Sequence, residues 1–403
     1  MQTFDVVILG GGMVGLSLAN QVLDHLKTAN ILVIDKEKSL GKHSSGRNSG
    51  VMHAGIYYKP GSQKARICTN GARRLKEWVH ERNISINLCG KIIVPTREDL
   101  DPQLDELKKR GTLNGAVVEL LDENDLKIAA PYVQSASGRA LWSPNTAVVK
   151  PIEVVNKLRD ELEERNIVFK YNQDNLKLQP TKNCIKLACG EEIYYGHLFN
   201  CTGLNADKIA HTFSVGEEFT IMPFKGLYCQ LKKTCVIQPK VNVYPVPDLN
   251  VPFLGVHFTP SVNSGGSVYI GPTATMAFGR ENYKGIVGVE PRLMIENAGR
   301  IIKQYAYNQG NIRNYIHQQA FLNIFPLLVK AAQELIPGIR AYDIERSQKV
   351  AIRPQLFNKK TQRLEDDFVC LNGHRSTHVL NAISPAFTAG FELADLIINE
   401  SGI

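Results

Sequence analysis

Residues 4–35 read FDVVILGGGMVGLSLANQVLDHLKTANILVID. The apolar run Val6 to Leu9 leads into Gly10-x-Gly12-x-x-Gly15, and Val14, Leu18 and Val22 then follow at helical spacing. A second apolar run ends in Asp35. The order predicted is strand, tight glycine turn, helix, strand, acid. In such a unit Gly10 permits the turn, Gly12 lets the backbone approach a pyrophosphate, and Gly15 lets the helix pack close to the strand. The pyrophosphate would meet the positive end of the helix dipole, with Asp35 and its neighbour Lys36 near the ribose. Taken together the pattern predicts a Rossmann-like dinucleotide site. The acid alone leaves FAD and NAD open.

The next stretch, HSSGRNSGVMHAGIYYKPGS (43–62), is too polar for a core strand and lacks a helical stripe. An FAD site must hold an isoalloxazine ring far from the adenine, using donors from distant segments. Ser44, Ser45, Arg47, Asn48 and Ser49 are expected to supply hydrogen bonds along the cofactor, with Gly46 and Gly50 allowing close backbone approach. Two later segments join them. Thr202 and Gly203 end the strand-to-turn pattern HLFNCTG beside the dinucleotide. In NAISPAFTAGFELADLIINES, Ser384 is the expected N-cap and Pro385 suits the first helical turn. Ala386 to Thr388 would then offer free N–H groups to the negative charge of a reduced flavin.

The composition is that of a globular protein: 403 residues, 43% hydrophobic and 21% charged, with 32 glycines and 19 prolines. Disorder and collagen-like repeats are excluded. No apolar run reaches the roughly 18–20 residues of a membrane span. The net charge of +8 is spread along the chain, with no basic tract, zinc-finger spacing or aromatic-interleaved motif, which argues against nucleic acid. What remains for that charge is a solvated basic surface, an anionic substrate or a peripheral membrane contact. Eight cysteines include no C-x-x-C and no nearby His pair, so no metal site is expected. The chain enters its first strand at once, which points to the cytoplasm.

Chemistry-bearing segments fall in the first, middle and last parts of the chain, and residues 216–285 are rich in strand residues and turns. The expected fold class is α/β: a Rossmann-like FAD-binding domain with an inserted β-rich α+β substrate domain. The boundaries read as 1–85, 146–215 and 345–403 for the cofactor unit, and 86–145 and 216–344 for the substrate unit.

DVVILGGGMVGLSLA, SSGRNSGVMHAGIYYKPGS, LFNCTGLNAD, PFKGLY, YPVPDLNVPFLGVHFT, AIRPQL and HVLNAISPAFTA together resemble the L-2-hydroxyglutarate dehydrogenase/oxidase family, within the D-amino-acid-oxidase-like FAD oxidoreductases. The resemblance covers most of the chain. It implies noncovalent FAD and oxidation of a small dicarboxylate, L-2-hydroxyglutarate, to 2-oxoglutarate. Electrons would pass to a quinone or respiratory-chain acceptor, to a dye-like acceptor or to O2; a peripheral contact with the inner membrane is the reading the basic charge leaves open. Lys225 stands where the family more often has Arg, Leu227 where an acid is frequent, and Thr202 in place of Ala. Such chemistry needs a base for the hydroxyl proton. His53, His257 and His378 each lie in a family-like motif and are the candidates, His378 being expected near the flavin or the substrate carboxylate. Arg353 is the expected bidentate partner of a carboxylate, with Lys225, Tyr57 and Tyr58 as further contacts. Other substrates on this scaffold would be a different 2-hydroxy acid, glycerol 3-phosphate or an amino acid. The alternative of another class is a noncatalytic dinucleotide-binding protein.

Overall fold

The structure is a computed structural model describing residues 2–247, 255–262, 266–308 and 312–403. Asp248 to Leu254, the centre of the YPVPDLNVPFLGVHFT segment, lie outside the described residues. The opening unit forms as its pattern predicts: β1 (Gln2–Leu9), α1 (Met13–His25) and β2 (Ile31–Ile34), with β1 and β2 parallel. Gly10 has φ +100°, a conformation open to glycine, and a Cβ on Gly15 would lie 2.0 Å from the Gly10 carbonyl oxygen. Turn and helix therefore pack at a distance only glycine allows. The long helix α2 (Gln63–Glu81) follows the polar loop.

β3 (Glu192–Asn200) runs parallel to β1 on the side away from β2. Among the described residues these strands belong to an eight-stranded sheet. Among the described residues a second sheet of ten strands is built around the long antiparallel pair β4 (Phe219–Leu231) and β5 (Ile344–Asn358). Sheet membership moves one expected boundary. Residues 345–358, read from sequence as cofactor unit, pair with β4 in the second sheet. The chain returns to the first sheet with Val369–Gly373 and β6 (Ser376–Asn381), the latter parallel to β3.

The last helix, α3 (Gly390–Ser401), packs against α1 and α2. A Cβ on Gly71 would sit 2.6 Å from the Ala389 Cα, and one on Gly390 2.9 Å from the Met13 side chain. One apolar core joins these helices to the first sheet through residues such as Leu16, Leu75, Leu158 and Ile397. The helix start expected at Ser384 is not there. Ser384–Ala389 is a turn, closed by Ala386 N–H to Ile383 O (2.7 Å) and Ala389 N–H to Pro385 O (2.9 Å), and the helix begins at Gly390. The polar loop also holds more order than its composition suggested. Ser44–Arg47 makes one helical turn, and Val51–Met52 pairs with Ala147–Val149.

Candidate functional site

Between the two sheets lies a cavity of about 660 Å³. One end is formed by Gly12, Met13 and Val14 at the start of α1, with Ser44, Ser45, Asn48 and Ser49. The other end is walled by His53, Tyr57 and Tyr58 from the loop, Lys225 and Tyr228 from β4, His257, and Arg353 from β5. Gly203 and the turn Ser384–Thr388 also face it. The nucleotide-binding turn and the histidines thus share one continuous space.

Most expected residues meet here, but several spend their polar atoms on the protein. Ser45 Oγ accepts from Met13 N–H at 2.9 Å, satisfying a donor at the start of α1. Ser44 Oγ donates to Ile352 O (3.1 Å), and the Asn48 amide closes its own turn onto Ser45 O (2.7 Å) and Gly50 N–H (2.8 Å). Ser49 Oγ accepts from Val51 N–H, and Thr388 Oγ1 donates to Val51 O. Gly10 and Gly15 act behind the cavity wall through the packing described above. Asp35 stands at the end of β2, its carboxylate accepting from Gly11 N–H and Glu37 N–H at 2.8 and 2.9 Å. Thr202 bonds back to Asn200 through its hydroxyl (2.7 Å).

Three of the named residues point elsewhere. His378 is fully buried in β6, and its strand neighbour Val379 lines the cavity. His378 itself does not line the cavity; its ring is bonded to Asn200 Nδ2 (3.2 Å) and Ser376 Oγ (3.1 Å) and lies edge-on to Phe213. Arg47 turns to the Lys42 carbonyl and lies over the Tyr283 ring at 4.1 Å. Lys36 pairs with Glu281. Glu37, His43 and Glu281 lie close enough to hold a cation. With Lys36 paired to Glu281 and His43 bonded to Glu37, they form a hydrogen-bonded ion cluster.

The two histidines on the wall are held uncharged. Burial drives His53 well below its ordinary pKa, and Lys91, His257, Arg353 and Lys64 push the same way. His257 is lowered to about 4, again chiefly by burial. Its Nδ1 lies 2.8 Å from Gly255 O. In the neutral ring Nδ1 must therefore carry the hydrogen, which leaves the lone pair on Nε2. The ring stacks on Tyr244 at 3.9 Å between centroids. Among the described residues, His53 Nδ1 and Tyr57 Oη are buried atoms with no hydrogen-bond partner.

Sequence reasoning missed Lys64, Arg110, Tyr228 and Tyr244, all on the cavity wall. Tyr244 belongs to YPVPDLN, a segment quoted for the resemblance but given no role. Lys64 and Arg110 lie on helices whose charges read as ordinary solvated surface. Lys225, which sequence did single out, is tied to Asn282 Oδ1 at 2.8 Å. Around the cavity Lys59, Lys64, Arg110, Lys225 and Arg353 outnumber Asp366 and Asp367, so the space favours anions.

These features fit a dinucleotide whose pyrophosphate lies at the start of α1 and whose ring reaches the histidine wall. A family model for FAD-dependent oxidoreductases, the DAO family, matches residues 5–399. The chain belongs to this family. It binds FAD and is an oxidoreductase. It is 34% identical to the human mitochondrial L-2-hydroxyglutarate dehydrogenase over 99% of this chain and 88% of that protein. It is 32% identical to the L-2-hydroxyglutarate dehydrogenase of Indibacter alkaliphilus over 98% of each. Among solved structures, the L-alpha-glycerophosphate oxidase of Mycoplasma pneumoniae with FAD bound superposes with a TM-score of 0.75 at 19% identity, covering 100% of this chain and 96% of that one. Glycine oxidase from Geobacillus kaustophilus gives 0.73 at 15%, covering 99% and 94%. These likenesses show a shared fold. Among the described residues of this FAD-dependent oxidoreductase, no helix is long and apolar enough to cross a membrane.

Proposed function

We propose that this FAD-dependent oxidoreductase oxidises L-2-hydroxyglutarate to 2-oxoglutarate. The observation that carries the reading is a cation-rich cavity that also holds two uncharged histidines, in a chain aligned end to end with relatives of that name. Oxidation of a 2-hydroxy acid removes a hydride from Cα and a proton from the hydroxyl. The bound FAD supplies the hydride acceptor. The proton goes to His257, whose Nε2 carries the lone pair and whose ring is fixed by Gly255 and Tyr244. His53 lines the same wall and contacts the substrate beside it. Arg353 binds a substrate carboxylate through its guanidinium fork, assisted by Lys225 and Tyr58. The start of α1, with Ser44, Ser45, Asn48 and Ser49 beside it, would hold the cofactor's phosphates and adjoining groups, with Gly203 and Ser384–Thr388 as further contacts.

The test is product identity. Purified protein with L-2-hydroxyglutarate and a dye acceptor should form one 2-oxoglutarate per electron pair. Turnover of glycerol 3-phosphate or an amino acid instead would replace this reading.

We further propose that the physiological acceptor is a membrane quinone and that the protein works in the cytoplasm, peripherally at the inner membrane. Support comes from apolar side chains exposed together along Pro291–Tyr307 and its neighbours: Ile286, Val287, Ile295, Ile302 and Tyr307. The net charge of +8 would favour an anionic bilayer. Co-sedimentation with anionic vesicles that is lost in an Ile295→Glu/Ile302→Glu variant is the expected result. Binding unchanged by both substitutions would refute it.

A further inference from the structure

Lys91 opens the buried strand Lys91–Val94 and has no solvent exposure. Among the described residues no carboxylate lies within ion-pair distance of its ammonium. Its Nζ sits over two tyrosine rings instead, 4.6 Å from the centroid of Tyr244 and 5.1 Å from that of Tyr57. Both tyrosines line the cavity, and Tyr244 also carries the stacked His257. A buried cation is costly unless a counter-charge accompanies it, and two aromatic faces offset only part of that cost. Burial lowers its pKa to about 8, so it remains mostly protonated at neutral pH. The chain thus keeps a full positive charge one ring's thickness behind the substrate wall.

We propose that Lys91 is a specificity-determining positioning residue whose missing counter-charge is the second carboxylate of a dicarboxylate substrate, felt through Tyr57 and Tyr244. The inference rests on the dicarboxylate reading above and adds the residue that selects a dianion over a monoanion. Arg353 and Lys225 attract either kind of substrate. Lys91 touches neither, so its effect is a difference in affinity with no change in the contacts that orient the reacting carbon.

The test titrates glutarate and butyrate into the FAD-bound protein and follows the perturbation of the flavin absorbance. Wild type should bind glutarate more tightly than butyrate. Lys91→Met should reduce that preference about tenfold, the size expected of one unit charge acting over roughly 10 Å at an effective dielectric of about 20. Butyrate binding and the flavin spectrum should stay within twofold of wild type, and Lys91→Arg should restore the preference. Equal weakening of both ligands, or an unchanged preference, would overturn the inference.

A second measurement needs no variant. The wild-type preference should fall as pH rises through about 8. Other groups around Lys91 titrate outside that window: Cys68 and Cys89 are pushed up to about 12 and 11, the Tyr57 and Tyr244 hydroxyls upward, and His53 and His257 downward. Lys349, over Tyr228 and Tyr269, is also lowered to about 8. Burial also lowers Lys64 and Lys225 on the cavity wall, so a pH dependence that survives in Lys91→Met belongs to Lys349, Lys64 or Lys225 and counts against Lys91, as does a flat wild-type preference from pH 7 to about 9.5. A wild type that binds neither ligand, and whose flavin L-2-hydroxyglutarate leaves oxidised, overturns the substrate reading and this inference together.

Discussion

At the residue scale the proposed chemistry turns on His257 and Arg353. His257→Ala should lower kcat by about 10²–10⁴ while the flavin spectrum is retained, which is the usual contribution of a positioned base. The pH profile follows from burial. A base acts while unprotonated, and His257 is lowered to about 4, so kcat/KM should stay level from neutrality down to about pH 5 and fall only toward pH 4. An acid limb near the ordinary histidine value, measured in the same profile, would show that another group accepts the proton. Arg353→Ala should raise the substrate KM by about 10²-fold or more with FAD still bound. Arg353→Lys should recover only part of that loss, because an ammonium lacks the bidentate fork. Arg353, His53 and His257 could be singled out in the sequence because each stood in a dense motif, and the fold brings all three to one cavity. Lys91 was not. In GKIIVPT it reads as an ordinary charged strand end, and only the fold shows that the whole strand is buried against Tyr57 and Tyr244.

At the element scale, the segment Phe278–Glu290 joins the two layers. Arg280 clamps Asp207 bidentately at 2.6 and 2.9 Å, with side chains only 5% and 2% exposed. Burial alone would raise the Asp207 pKa, yet the guanidinium and the backbone N–H of Ile221 hold it below the ordinary value. Three residues on, the Tyr283 hydroxyl meets His43 Nδ1 at 2.9 Å, beside the Lys36–Glu281 pair that follows Asp35. Arg280→Ala leaves a buried carboxylate without its partner and should cost about 3–5 kcal/mol in denaturant unfolding of the holoenzyme. Tyr283→Ala removes the contact on His43 and the ring under Arg47, so FAD should dissociate severalfold faster, measured by the recovery of flavin fluorescence on dilution. None of this clamp was visible in sequence, since its partners stand more than 70 residues apart. The end of the chain shows the converse limit. Ser384, Pro385 and the run after them carry local helix-start signals, and the helix still begins at Gly390, where packing on Met13 and on α2 near Gly71 sets its position.

At the scale of the whole molecule, the first β–α–β unit fixed the architecture because its glycines have steric reasons to be there. Gly15→Ala would push a methyl group to within 2.0 Å of the Gly10 carbonyl, so the variant should lose FAD on gel filtration. The second sheet was legible as strand-rich sequence but not as a topology. The return of residues 344–358 to pair with β4 is a contact across more than 100 residues, and it brings Arg353 opposite Phe224, next to Lys225. That pairing puts Arg353 and Lys225 on the cavity that also reaches the start of α1.

The central claim, that this cavity oxidises L-2-hydroxyglutarate at its flavin, is tested most directly by anaerobic mixing of the purified yellow protein with single candidate substrates. L-2-hydroxyglutarate should bleach the oxidised flavin band, while its D enantiomer, L-malate, glycerol 3-phosphate and sarcosine leave it unchanged. Bleaching by glycerol 3-phosphate or sarcosine, with L-2-hydroxyglutarate inert, would contradict the account.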